Sequence, residues 1–146
     1  MHLDHAHKLI HRLTIMWLAS LSDDQRQALL RLAHNVVVSD GLLDPNEEGM
    51  LDEFRREMGL DAGSEIEYLE IDGIGNVFDG RRVRIVALLN LLKLSYADGA
   101  FEIEEECLLK EIGRCFDVDE AEFLLLDNWI KRLLSLEEEA ESLMSM

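Results

Sequence analysis

Proline occurs once and aromatic residues make up only 6% of the 146-residue chain. A β-sandwich or barrel needs many turns and many aromatic or β-branched strand residues, so both scarcities argue against one. Cysteine occurs twice, at Cys107 and Cys115, too few for a disulfide framework or a cysteine-based zinc site. The two fall on one helical face and read as small apolar core residues of a reduced, intracellular protein. Long apolar runs are missing as well. The longest, Val83 to Tyr96, is interrupted by Arg84, Asn90 and Lys93, and it falls short of the ~20 residues that span a bilayer. The N-terminus, MHLDHAHKLIHR, is too polar for the apolar stretch of a signal peptide. These absences point to a soluble, cytoplasmic protein.

Basic residues are few. Lys and Arg number 14 against 31 Asp and Glu, a net charge of −17. The imbalance is uneven: residues 1–35 hold three acids (Asp4, Asp23, Asp24) and four bases (Lys8, Arg12, Arg26, Arg31), so the remainder carries 28 acids against 10 bases. Such a surface repels nucleic acid and anionic lipid and favours cations or a protein partner with a basic face. Excess charge that merely keeps the protein soluble is the plainer explanation.

What the chain does have is helical patterning, and the expected fold class is all-α with about seven helices. Leu9, Leu13, Met16 and Trp17 fall at helical spacing within Leu3–Leu18. Ser22 and Gln25 form a capping box that opens a second helix with the stripe Leu29, Leu32, Ala33, Val36, Val37. Asp44-Pro45 is an N-cap followed by an N1 proline, starting a third helix that stops at Gly59. A short helix is expected from Asp61 to about Leu69, and the glycine-rich residues 70–80 as irregular chain. A strongly apolar helix then runs from Arg81 to Ala97, another from Glu102 to Phe116, and a last one from the cap Asp119 to about Leu136. Residues 1–24 form a histidine-rich N-terminal helix packed on the bundle, 25–136 the helical domain, and 137–146 a solvated acidic tail expected to fray.

The chain repeats itself. Moving along by 58 positions places Asp40-Gly41 on Asp98-Gly99, Asp44 on Glu102, Glu47-Glu48 on Glu105-Glu106, Phe54 on Ile112, Met58 on Phe116 and Asp61 on Asp119. In each unit the acids extend apolar stripes: Leu29, Ala33 and Val36 lead to Asp40, Phe54 and Met50/Leu51 lead back to Glu47, and the second unit does the same at Asp98 and Glu105. A carboxylate leaving water is costly unless something pairs with it, and Asp40 and Asp98 fall near helix C-termini, where the dipole disfavours them. A hard divalent cation, Ca²⁺ or Mg²⁺, is one remedy. Plain capping is the other, with the glycines as C-caps and Glu47 bonded to backbone N–H groups. An EF-hand is excluded, since it needs acids at loop positions 1, 3 and 5 with glycine at 6, and Leu42 and Ala100 stand two residues after Asp40 and Asp98.

The stretches Ser39-Asp40-Gly41-Leu42-Leu43-Asp44-Pro45-Asn46-Glu47-Glu48 and Ala97-Asp98-Gly99-Ala100-Phe101-Glu102-Ile103-Glu104-Glu105-Glu106 resemble the paired signatures of TerB-like domains, a family associated with tellurite resistance and with a region of some DnaJ-type co-chaperones. The resemblance covers roughly residues 25–135. It implies an all-α fold with pseudo-twofold symmetry and a stress-response interaction module rather than an enzyme. It also implies an acidic face that binds divalent cations through Asp40, Glu47, Asp98 and Glu105, with Asp44 and Glu102 as further ligands. Family members often carry another acid just after the Asp-Gly pair, where this chain has Leu42 and Ala100.

Other clusters read more plainly. His2, His5, His7 and His11 crowd the N-terminus; His7 and His11 are spaced to chelate a metal on a helix, though a solvated face explains them as well. His34 reads as an isolated surface or core histidine. Trp17 and Trp129 read as core or groove-lining anchors. Arg81, Arg82 and Arg84 are expected to pair with the acidic surface. No nucleophile–base motif or phosphate loop stands out, so no catalytic residue is assigned; a Mg²⁺-dependent hydrolase using the same six carboxylates is the competing expectation.

Overall fold

In a computed structural model the described residues are 15–39, 45–61, 68–97 and 103–146. Among them there are six α-helices and no strand: α1 (Asp23–Val37), α2 (Pro45–Glu57), α3 (Ile74–Val77), α4 (Arg81–Ala97), α5 (Ile103–Cys115) and α6 (Glu120–Met144), preceded by a single 3₁₀ turn at Leu18–Ser20. The protein is all-helical, as its composition requires.

The 58-residue repeat is physical. α1 starts at Asp23 and α4 at Arg81; α2 and α5 are both 13 residues long and start at Pro45 and Ile103. α1 packs on α2, α4 on α5, and the two pairs join through α1 against α4 and α5. The helix ends repeat too. The Leu60 N–H donates to the Arg55 carbonyl (3.1 Å) and the Gly59 N–H to that of Arg56 (3.0 Å); 58 residues on, the Val118 N–H donates to Gly113 (2.8 Å) and the Asp117 N–H to Arg114 (3.1 Å). Both are Schellman closures, which need one residue in the left-handed region. Gly59 takes that place at φ +71° and Asp117 at φ +59°.

α4 is the most deeply buried helix, packed against α1, α5 and α6. Its run Val86–Ser95 is buried throughout, which explains why Val83–Tyr96 shows almost no polar face: a helix covered on all sides has none to show. The largest fully buried side chains include Leu29 and Leu32 of α1, Phe54 of α2, Leu88, Leu91, Leu92 and Leu94 of α4, and Leu109 and Ile112 of α5. Phe78 and Phe116 meet edge-to-face at 5.3 Å beneath the α3 turn.

Five expectations need correction or restriction. Residues 70–80 are not irregular throughout: they contain α3, with Ile74 and Phe78 buried. Arg84 organises this stretch, donating from Nε to the Phe78 carbonyl (2.7 Å) and from Nη2 to that of Gly75 (2.8 Å). The approach leaves no room for a side chain at Gly75, whose Cβ would lie 2.9 Å from Arg84 Nη2 and 3.2 Å from the Cys115 carbonyl. The last helix does not stop at Leu136 but continues to Met144, past the expected 137 boundary; the run of Leu, Glu and Ala there is a run of good helix formers. Cys107 is exposed rather than a core residue, while Cys115 is half-buried. The expected N-terminal helix lies outside the described residues up to position 14, and Ile15–Trp17, at its end, is not helical. Most of the short helix expected from Asp61 is likewise outside them, and Tyr68 and Leu69 are not helical. No helix among the described residues is long and apolar enough to cross a membrane.

Candidate functional site

The two Asp-Gly corners join α1 to α2 and α4 to α5. Of the six candidate ligands, Glu47 and Glu105 belong to the described residues; Asp40, Asp44, Asp98 and Glu102 lie outside them. Glu47 and Glu105 sit in the first turns of α2 and α5, where the helix N-terminus favours negative charge. Each is 3% exposed. Each continues the buried stripe of its own helix, through Met50, Leu51 and Phe54 in α2 and through Leu109 and Ile112 in α5. Both residues already have interaction partners, so an incoming cation would add to or displace existing interactions.

Two other helix starts show what an ordinary cap looks like here. Ser22 accepts from the Gln25 N–H (3.2 Å) while Gln25 Oε1 accepts from the Ser22 N–H (2.9 Å). Asp119 and Glu122 exchange the same pair of bonds. In both boxes the side chain at the third helical position stays half-exposed. Glu47 and Glu105 occupy the third position of their helices and are buried. The stripes that approach from the other side, Leu29–Ala33–Val36 and Ala87–Leu91–Leu94, are also buried to their ends. Among the described residues, no group of three or more His, Cys, Asp or Glu is placed to hold a metal ion.

The remaining polar groups are accounted for differently. Trp17 and Trp129 do meet, with ring centroids 6.0 Å apart, and Trp17 remains half in solvent. Arg81 pairs with Glu122, and Arg84 with Asp117 at 3.5 Å, as the acidic surface suggested. His34 is half-buried; burial lowers its pKa, and its Nδ1 has no hydrogen-bond partner among the described residues. The histidines at 2, 5, 7 and 11 lie outside the described residues. An open groove of about 310 Å³ between α5 and α6 is lined by Lys110, Arg114, Val118, Asp119, Glu120 and Phe123.

Sequence reasoning missed a line of buried polar side chains on and around α4. Asn90 donates to the Met16 carbonyl (3.0 Å) and accepts from its N–H (2.8 Å). Lys93, nearly buried, donates to Glu137 Oε1 at 3.0 Å. The Tyr96 hydroxyl donates to Asp127 Oδ1 at 2.5 Å, and Lys131 holds the other carboxylate oxygen at 3.1 Å. Burial, followed by the Asp127 bond and charge, pushes the Tyr96 hydroxyl far above its ordinary pKa. The signal was present: three polar residues inside an otherwise apolar run, which a covered helix tolerates only when each is bonded.

Scans against protein-family models, curated proteins and solved structures return no match for this chain.

Proposed function

We propose that the chain is a TerB-like, stress-response type of interaction module, and that its two Asp-Gly corners bind divalent cations, Ca²⁺ or Mg²⁺, or a basic face of a protein partner. The observation that carries this reading is the matched burial of Glu47 and Glu105. Two carboxylates occupy equivalent positions in duplicated hairpins, both withdrawn from water, in a chain of net charge −17. A buried carboxylate persists only where its surroundings favour negative charge, and the caps at Ser22 and Asp119 leave their third-position side chains half-exposed instead. Asp40, Asp44, Asp98 and Glu102 are the remaining oxygen ligands assigned to the corners. Tellurite-linked or general stress function is part of the same proposal, through the resemblance of the two corner sequences.

The test is a Ca²⁺ and Mg²⁺ titration of the full chain, followed by tryptophan fluorescence and thermal melting. The expected result is a rise in Tm that disappears in the Asp40→Asn/Asp98→Asn variant. A pull-down from the native cell with wild type and variant tests the partner branch, and the expected result is a basic protein retained only by the wild type. Melting unmoved by saturating cation, together with equal retention by both proteins, reduces the corners to helix caps.

A further inference from the structure

The burial of α6 fades along its length. Its buried residues, Phe123, Asp127 and Ile130, all lie in the first half, and from Lys131 to Met144 none is buried. Away from that buried side runs a second stripe. Leu125, Trp129, Arg132, Leu136, Glu139 and Leu143 step by four, three, four, three and four, the spacing of a coiled-coil seam. Leu125, Leu136 and Leu143 are 69%, 62% and 65% exposed, and Trp129 is half-buried.

The two charged members of the stripe have opposite sign. Arg132 and Glu139 are both exposed, and neither has an ion pair or hydrogen bond among the described residues, whereas the neighbouring Lys131 holds Asp127. Seven residues apart on one helix, they are separated by about 10 Å along its axis and do not serve each other. A charge within an apolar seam costs stability and in return selects register and partner. The partner that suits this stripe must offer exposed leucines at the same spacing, an acid for Arg132 and a base for Glu139.

We propose that the occupant is a second copy of this chain, with the two α6 helices packed antiparallel about a twofold axis at position 134. A twofold interface uses one self-complementary patch twice, and this stripe is self-complementary in that direction. Leu125 then lies over the partner's Leu143, and Arg132 over the partner's Leu136. The partner's Glu139 comes within about 4.5 Å of Arg132 along the helix axis, inside the reach of an arginine side chain. The twofold forms the same pair again on the other side. Parallel pairing would set Arg132 on Arg132 and Glu139 on Glu139, so charge selects the antiparallel arrangement. From Leu125 to Leu143 the seam runs about 27 Å and is one helix wide, less than the ~800 Å² per partner of a standard interface. The dimer is therefore reversible and concentration-dependent.

Sedimentation of the full chain under reducing conditions, over a range of concentrations, tests the assignment. The wild type is expected to pass from monomer to dimer as concentration rises. Arg132→Glu and Glu139→Arg are each expected to weaken dimerisation at least about tenfold. An equimolar mixture of the two variants is expected to regain it, because each then faces the opposite charge on the other. In a Cys107→Ser/Cys115→Ser background, Leu125→Cys mixed with Leu143→Cys should give the mixed disulfide above its statistical share under mild oxidation. A chain that stays monomeric at every concentration overturns the proposal, as does a dimer indifferent to both charge reversals. A mixture no more dimeric than its components, or a preference for disulfides between like variants, overturns it equally.

Discussion

The two halves of the molecule share a hairpin and differ in what covers it. In the first, α1 and α2 are followed by a link and the single turn α3; in the second, α4 and α5 are followed at once by the 25-residue α6. The first cover is held by side chains reaching backbone: Asn35 clasps Leu69 at both its N–H and carbonyl, Arg31 reaches the Tyr68 carbonyl, and Arg84 holds Gly75 and Phe78. The second is held by apolar packing at Phe123 and Ile130 and by the bonds of Lys93 and Tyr96. Hairpins are set by stripe and corner, which duplicate readily. Covers are set by individual contacts, and there the halves have diverged.

That comparison can be broken or sharpened by substitution at equivalent positions. The largest effect is expected at Phe116 and its counterpart Met58, both fully buried. Phe116→Ala should cost about 3–5 kcal/mol in chemical denaturation. Met58→Ala should cost less, because Phe116 also supplies the edge-to-face partner of Phe78; an equal loss would show that the α3 cover adds nothing. Next come the two asparagine clasps. Asn90→Ala and Asn35→Ala are each expected to cost about 1–3 kcal/mol, since each leaves backbone groups unsatisfied. Asn90 should be the greater, as it also bonds the Val86 carbonyl within its own helix.

A smaller pair of effects should have opposite sign. Gly59→Asp puts a side chain where φ is +71° and should destabilise by about 1 kcal/mol, whereas Asp117→Gly should stabilise by some tenths, because only glycine enters this region without strain. Equal signs in the two melts would mean that the Schellman ends are not equivalent. The smallest effect concerns Glu57 and its counterpart Cys115. Burial raises both pKa values, with the Ile15 N–H opposing it at Glu57 and Glu111 and Asp72 adding to it at Cys115. A carboxyl whose folded pKa is raised contributes stability below its unfolded pKa and loses it as pH rises through the folded value. Glu57→Gln should therefore flatten the stability curve just above pH ~4.5, read as Tm against pH, while leaving the acid limb unchanged.

Much of this architecture was legible in the residues. Both hairpins, the Ser22 and Asp119 caps, the stops after Gly59 and Phe116, and the positions of Glu47 and Glu105 on buried stripes all follow from local pattern, because apolar phase and cap chemistry act over a few residues. Three features were not legible. α3 depends on Arg84, nine residues from the carbonyl it holds at Gly75, and no local rule carries that contact. The extension of α6 past Leu136 was hidden by its charge, since a glutamate-rich run suits both a helix and a frayed tail. Cys107 lies at the apolar spacing of α5, but on a part of that helix that faces water. Four of the six corner acids fall outside the described residues; at each corner the one described, Glu47 or Glu105, is buried on its stripe as expected.

The central place of α4 has a further consequence. Tandem duplications are often beads on a string, each unit able to melt while its neighbour survives. Here the first helix of the second unit is walled in by the first unit on one side and by the closing helix on the other. Pulling either hairpin away strips that helix of its shelter. Urea should therefore dissolve both copies together, in one sigmoidal step seen alike by fluorescence and circular dichroism, and the chain should behave as one indivisible body despite being written twice.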